Sequence, residues 1–379
     1  MFQNEPMTAR ERFLSVMDYR PVDRVPNHEA GVWPQTKERW VKEGLNPYDL
    51  TWDWFTGTEY FQLDPREFIN VNYGMIPGFP HEVLENDGRH ETARHENGVV
   101  TKALIEGTVD GGRASMDTYL SFPVETPEDF RTLKQRYISG QNIRYPAMWK
   151  EIFLPRWKNR EHPLILGNNT ATGGFYWRSR EWMGTENLSY AWYDQPGLMH
   201  EMMEFIADFT IEVSRPILAE TDVDYVMISE DMSMKNGPLL SPGTYKTFIF
   251  PHMRRLSDFF KSRGVKYVFV DTDGNCEALI PLLMDAGVDG IWPLERVAGM
   301  DPIALRKKFG RDLRLSGGVD KMEIAKDPAA IEKHLAEMVP LIEEGGFIPT
   351  IDHTAPPDIS LENFRYYIKR KWDLLTGKY

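Results

Sequence analysis

The chain is 379 residues long, 41% hydrophobic and 27% charged, which gives enough apolar material for a large buried core and an ordinary charge content for a globular protein. Its formal net charge of -13 and pI near 5.3 set nucleic acid aside as a partner, because binding to a phosphate backbone depends on clustered Lys and Arg. A single cysteine, Cys276, excludes an intrachain disulfide and any zinc site built from cysteine pairs. The first residues carry acids and arginines where a signal peptide is apolar, and no run approaches the roughly 20 apolar residues of a membrane span. The expected setting is therefore cytoplasmic, with no membrane partner.

In chain order, residues 24–33 (RVPNHEAGVW) read as a first strand and 68–74 (FINVNYG) as a second. Between 82 and 107 the Asp87-Gly88 and Asn97-Gly98 pairs supply tight turns for a β-hairpin or meander. Residues 140–162 form a connection rich in Trp and Arg. From 163 the pattern becomes regular, with short apolar runs at 163–167, 224–228, 267–270, 289–292, 313–316 and 347–351 separated by helical segments. Thr126-Pro127, Ser241-Pro242, Asp301-Pro302 and Asp327-Pro328 each place a capping oxygen before a proline, whose missing N–H costs nothing in a first helical turn. Gly310 and Gly345 are natural helix stops. Strands that are apolar throughout belong in a parallel sheet covered by helices on its faces. Eight such strands predict a single-domain α/β fold over 1–379, a closed (β/α)8 TIM barrel with an irregular N-terminal extension containing a β-hairpin. No glycine-rich nucleotide fingerprint follows any strand, which weakens the doubly wound alternative.

Barrel enzymes carry their chemistry where strands meet the following loops. Five successive runs end in acids at that place: Glu230 and Asp231 with Ser229, then Asp271, Asp273 and Asn275, then Glu295, then Asp320, then Asp352 with His353. Asp320 also has the position of a helix cap. The clusters Glu230–Asp231 and Asp271/Asp273 exceed what capping requires. Glycine is fourth and leucine twelfth in DTDGN and its continuation, so this is no EF-hand loop. His353 with Asp271 and Asp273 suits an open metal site, and equally a general acid/base set without metal. Trp33, Tyr73, Phe175, Tyr176, Trp177 and Trp292, with Arg178 and Arg180, fall near other strand ends, where aromatics serve either the core or a pocket for a flat ring. Cys276 reads as packing.

The stretches TARERFLSVMDYRPVDRVPN, EDMSMKNGPLLSPGTYKTFIFPHMRRLSDFFKSRG, VDTDGN, GVDGIWPLE, LSGGVDK and GGFIPTIDHTAPPDISLENFRYYI resemble the uroporphyrinogen decarboxylase superfamily over nearly the whole chain. The resemblance implies a (β/α)8 barrel and offers two branches. The decarboxylases carry an arginine-rich signature that grips the porphyrinogen's carboxylates, whereas the corresponding HEAGVWPQTKERW lacks that arginine pair. The other branch moves methyl groups between a small substrate and the cobalt of a separate corrinoid protein. Several of its members hold zinc with a His-x-Cys pair and a late Cys, positions that fall here on Asp271, Asp273 and His353. The resemblance thus implies an oxygen-rich divalent metal site, most simply zinc, on Asp271, Asp273 and His353, with Glu230 as a fourth ligand. It implies a methyltransferase of the O-demethylase type acting on a small methylated compound, an aryl methyl ether among them. Glu230, Asp271, Asp273 and His353 are the expected catalytic residues, and Trp33, Trp177, Arg178, Asp231, Asn275 and Glu295 the expected substrate contacts. No corrinoid signature occurs in the chain, so the corrinoid is expected on a partner protein. The alternatives are a decarboxylase or lyase of a small carboxylated ring, and a non-catalytic barrel that holds a corrinoid or pterin.

Because the arginine pair is missing, purified protein incubated anaerobically with uroporphyrinogen is expected to yield no coproporphyrinogen; its appearance on chromatography would contradict the reading of this region.

Overall fold

The computed structural model describes residues 2–47, 60–109, 112, 115–167 and 174–378. In chain order the strands are β1 (Glu67–Ile69), β2 (Glu82–Asn86), β3 (His90–Arg94), β4 (Val100–Leu104), β5 (Thr118–Ser121), β6 (Leu164–Leu166), β7 (Tyr225–Ser229), β8 (Ser233–Met234), β9 (Gly237–Pro238), β10 (Tyr267–Asp271), β11 (Gly290–Trp292), β12 (Arg314–Ser316) and β13 (Phe347–Ile348). Seven of them form a curled parallel sheet in the order β1-β6-β7-β10-β11-β12-β13. That order never reverses, so the sheet has no switch point of the doubly wound kind and winds in one direction, as a barrel does. Strands β2 to β5 make a separate antiparallel sheet, and Gly88 and Gly98 take positive φ (83° and 84°) at its turns.

The helices begin and end where their caps dictate. Thr126 caps Pro127–Lys134 in a reciprocal capping box, and Ser241, Asp301 and Asp327 each accept a backbone N–H at the start of the next helix. Gly310 and Gly345 close Pro302–Phe309 and Val339–Glu344 with positive φ. Asp320 accepts from Met322 N and is a helix cap.

The expected strand at 24–33 is corrected: this segment forms no ladder, and only Val32 makes an isolated parallel bridge, to Ala355. Pro26 has no N–H to give, and Gly31 at φ 140° breaks the extended line. The segment nevertheless lies between the two edges of the sheet. Asp64 N donates to Asn27 O on one side, while Ala355 N donates to Gly31 O and Trp33 N to Ala355 O on the other. Side chains do the rest: Glu29 Oε2 accepts from Ile351 N at 2.9 Å, and Arg66 donates to Glu29 O at 2.6 Å. The second expected strand, 68–74, is β1, shorter and starting one residue earlier.

Behind this seam stands the helix Leu361–Leu375, whose Lys371 Nζ donates to Glu29 Oε1 at 2.6 Å and to His28 O at 2.7 Å, both side chains being 1% exposed. Tyr367 donates a second hydrogen bond to the same carboxylate oxygen. Removing one member of a buried, hydrogen-bonded pair leaves an uncompensated charge. Lys371→Met is therefore expected to destabilise the protein by ~3–5 kcal/mol, read as a lowered urea midpoint, whereas loss of a surface ion pair costs under ~1 kcal/mol.

Candidate active site

Side chains alternate along a strand. Paired residues Tyr225 and Tyr267, Met227 and Phe269, and Ser229 and Asp271 therefore share one face, and Val226, Ile228, Val268 and Val270 the other. The first face lines the interior of the curled sheet, where Tyr225, Met227 and Phe269 meet Trp292, Ser316 and Ile348 around a small cavity. The valines and Ile228 are fully buried against the helices. The apolar run of β10 therefore ends in an acid because its interior column reaches the open end of the sheet at Asp271.

Ser229 Oγ donates to Asp271 Oδ2 at 3.0 Å. Burial first, then the nearby carboxylates of Asp273 and Asp231, push the Asp271 carboxyl well above the ordinary carboxylate range, which favours its protonated form. Beside it, His353 Nε2 lies 3.5 Å from Asp273 Oδ2. Burial works against charge on the imidazole, but the bond to Asp273 more than offsets this, and the net effect raises the proton affinity of His353. Its ring stacks on Trp292 with centroids 6.5 Å apart, and its Nδ1 lies 2.9 Å from Thr354 Oγ1, which also accepts from Trp33 Nε1 at 2.7 Å. Asp271, Asp273 and His353 thus come together, one carboxyl buried with its proton affinity raised and one paired with the imidazole.

The other expected residues have different surroundings. Glu230 is fully buried and points at the start of the helix Phe175–Met183, where its Oε2 accepts from Tyr176 N at 2.7 Å. Gly174 permits this approach, since a Cβ there would fall 1.6 Å from Ser229 O. Asp231, at φ 43°, pairs with Arg180, whose guanidinium lies over Trp177 at 4.9 Å. These three line a cleft of about 410 Å³ with Asn97, Val99, Met116, Tyr119 and Phe122. Arg178 is buried against Glu181 at 2.8 Å and Tyr73 O at 3.3 Å. Asn275 donates to Ala298 O and accepts from Glu277 N, which holds the loop after β10. Glu295 bonds Gly274 N and Lys321 Nζ, and Lys321 also lies 3.5 Å from the fully buried Asp352. Trp33 reaches the site through Thr354 and keeps 37% of its surface exposed.

Among the described residues no group of three His, Cys, Asp or Glu side chains is disposed to hold a metal ion. As it stands the set is arranged for proton exchange: Asp271 is engaged by Ser229, and His353 faces Asp273 through Nε2 and Thr354 through Nδ1. Sequence reading passed over Thr354, Lys321 and the pairing role of Arg180. The dipeptide His353-Thr354 was a usable signal for the first; nothing in the sequence marks the partners of the other two. Cys276 is buried and its thiol is pushed up to about 12 by burial, in keeping with packing. No helix among the described residues is long and apolar enough to cross a membrane.

A family profile described as Uroporphyrinogen decarboxylase (URO-D) matches residues 179–371, just over half of the chain. Uroporphyrinogen decarboxylases from Synechococcus sp. (strain JA-3-3Ab) and Nocardia farcinica are 21% identical over 204 residues and 25% identical over 202 residues, covering 52% of this chain and 52% of each relative. The chain thus spans about half the length of the curated relatives it matches. Among solved structures, a methyltransferase from Methanosarcina mazei superposes with a TM-score of 0.55 at 13% identity, over 97% of this chain and 99% of that one, a likeness of fold.

Glu230 offers a test of the electrostatics. Burial raises its carboxyl from 4.5 to about 7. The fold binds this proton more tightly than the unfolded chain does, so the stability it contributes is complete below about pH 4.5 and is lost as pH rises through about 7. Glu230→Gln escapes that loss. Its stability relative to wild type is expected to climb by roughly 3 kcal/mol between about pH 5 and about pH 8 in urea titrations; a pH-independent difference would contradict the assignment.

Proposed function

The chain belongs to the uroporphyrinogen decarboxylase family, and within it we propose a methyltransferase that takes a methyl group from a small methylated compound, an aryl methyl ether in the finer reading, and passes it to a corrinoid carried by a partner protein. The observation that carries this reading is the Asp271 carboxyl at the open end of the sheet, bonded by Ser229, beside the His353–Asp273 pair, where burial and the neighbouring acids raise its proton affinity. A methyl ether is a poor methyl donor because its oxygen leaves badly. When the methyl–oxygen bond breaks, the electron pair stays on oxygen, and an acid of raised proton affinity within reach neutralises that charge as it forms. The bound corrinoid would supply the nucleophile. Asp271 gives the proton, Ser229 holds its other carboxyl oxygen, and His353 with Asp273 returns a proton to Asp271 before the next turnover. The cleft beside Asp231 has Trp177, Tyr119 and Phe122 in its wall, aromatic side chains against which a flat ring could pack. The whole-chain likeness to a methyltransferase fold agrees with this choice of branch.

A second reading has its own support. The curated relatives are decarboxylases, and a protonated Asp271 would equally serve to protonate the carbanion left when carbon dioxide departs from a small carboxylated ring. The zinc implied by the resemblance does not fit the residues as arranged, and no step above runs through it; metal analysis of the purified protein decides whether it binds.

The test uses purified protein, aryl methyl ethers and reduced cobalamin as methyl acceptor, following methylcobalamin by its absorbance and the freed phenol by chromatography. Asp271→Asn, which has no proton to give, is expected to lose at least ~10²-fold in transfer rate while still binding the ether, with a smaller loss for His353→Gln. Undiminished transfer by Asp271→Asn would overturn the acid role. Transfer abolished by chelation and restored by zinc would put a metal in its place. Carbon dioxide release from ring carboxylates without methyl transfer would favour the decarboxylase.

A further inference from the structure

His353 ends a row of side chains that starts at Trp33, 321 positions from its partner Thr354 in sequence. Trp33 Nε1 lies 2.7 Å from Thr354 Oγ1, which lies 2.9 Å from His353 Nδ1, and His353 Nε2 lies 3.5 Å from Asp273 Oδ2. The chemistry of each group limits how this row can be wired. An indole N–H only donates, so Trp33 occupies one lone pair of the hydroxyl oxygen and nothing more. The second lone pair and the hydroxyl hydrogen are left for His353, and Thr354, 1% exposed, has no other side-chain partner for them among the described residues. The hydroxyl therefore bonds Nδ1 whichever ring nitrogen carries the hydrogen: it donates to a bare Nδ1 and accepts from one that bears hydrogen. A ring rotated by half a turn would set carbon atoms against both Thr354 and Asp273, so the two contacts together admit one orientation of the imidazole.

Backbone bonds bring the distant ends of this row together. Ala355 N donates to Gly31 O at 3.0 Å, Trp33 N donates to Ala355 O at 3.2 Å, and Thr36 Oγ1 donates to the same carbonyl at 2.8 Å. Residues 31–36 are thereby tied to the residue that follows Thr354, and the indole is delivered to the hydroxyl. Trp33 stands before the helix Pro34–Lys42, and its side chain takes no part in capping that helix. We propose that Thr354 and Trp33 are positioning residues of the site: Thr354 holds the His353 ring with Nε2 towards Asp273, and Trp33 holds the Thr354 hydroxyl in the rotamer that reaches Nδ1. The assignment rests on the reading above in which His353 and Asp273 return a proton to Asp271. An imidazole in that role has to keep its place as its hydrogen changes, and a hydroxyl that both donates and accepts lets it do so. Stacking on Trp292 sets the plane of the same ring, so Thr354 and Trp292 together fix its two rotations.

The test joins kinetics to magnetic resonance. With the aryl methyl ether assay, Thr354→Val is expected to lower kcat roughly tenfold, about what one hydrogen bond is worth in rate, with KM unchanged. Thr354→Ser, which keeps the hydroxyl, is expected to restore kcat, and Trp33→Phe to fall between the two. A Trp33→Phe variant with raised KM and unchanged kcat would make Trp33 a substrate contact and overturn its positioning role. Independently of turnover, the Trp33 indole N–H of the wild type is expected to exchange slowly with solvent and to lose that protection in Thr354→Val. The His353 ring nitrogens, assigned by their absence from His353→Gln, are expected to shift in Thr354→Val and to return to the wild-type positions in Thr354→Ser. Rapid exchange of the indole N–H in the wild type, or ring signals indifferent to Thr354→Val, would overturn the proposal. A wild type that transfers no methyl group would sink the methyltransferase reading alone, since the resonance measurements still decide whether Thr354 and Trp33 hold the ring.

Discussion

The two-residue period of β10 is the constraint from which the site follows. Once Phe269 packs into the interior of the sheet, Asp271 must point the same way, and pairing with β7 sets Ser229 beside it. The strand buries both of its faces, so the last residue of the column leaves the core where the sheet opens, and a carboxyl there is half-surrounded by protein. Its raised proton affinity is a consequence of that position and of two neighbouring acids, Asp273 and Asp231, each delivered by the end of a parallel strand. Parallel strands in unbroken order collect their C-terminal residues at one end, which is why acids far apart in sequence meet.

The same order leaves two sheet edges to be joined, and here charge replaces the ladder. Residues 24–33 are too broken by Pro26 and Gly31 to pair as a strand, so carboxylate, guanidinium and ammonium groups make the bonds that backbone amides make elsewhere. Ionic groups in an interior are tolerated only when each is bonded, and the crowding of Arg12, Arg24, Arg66 and Lys371 against Asp64 and Glu29 shows how much of this seam is electrostatic.

Much of this was legible in the sequence, for identifiable reasons. Continuous apolar runs marked the buried strands from 163 onward, and Ser-Pro, Thr-Pro and Asp-Pro pairs marked helix starts, because both signals are local. Acids at strand ends marked the open end of the sheet. What could not be read was the direction of each side chain. Glu230 and Asp231 are adjacent and were both expected at the site, yet one bonds the start of a helix and the other faces the cleft, a difference set by the positive φ of Asp231 and the absence of a Cβ at Gly174. Asn275 and Glu295, expected as substrate contacts, brace the loops that carry Asp273 and Lys321, contacts that no spacing in the sequence announces. The segment 24–33 was read as a strand, and Pro26 and Gly31 keep its backbone from continuing as one.

The pairing of Glu29 with Lys371 joins residues 342 positions apart. The chain must therefore be made through residue 371 before the seam has its partner, and until then residues 24–33 have only one edge to lie against. Contacts of such separation slow the search for the native state. During that interval the early strands and their unpaired ionic groups stay open to solvent, so the step most exposed to misassembly is the arrival of the helix Leu361–Leu375 at the first thirty residues of the chain.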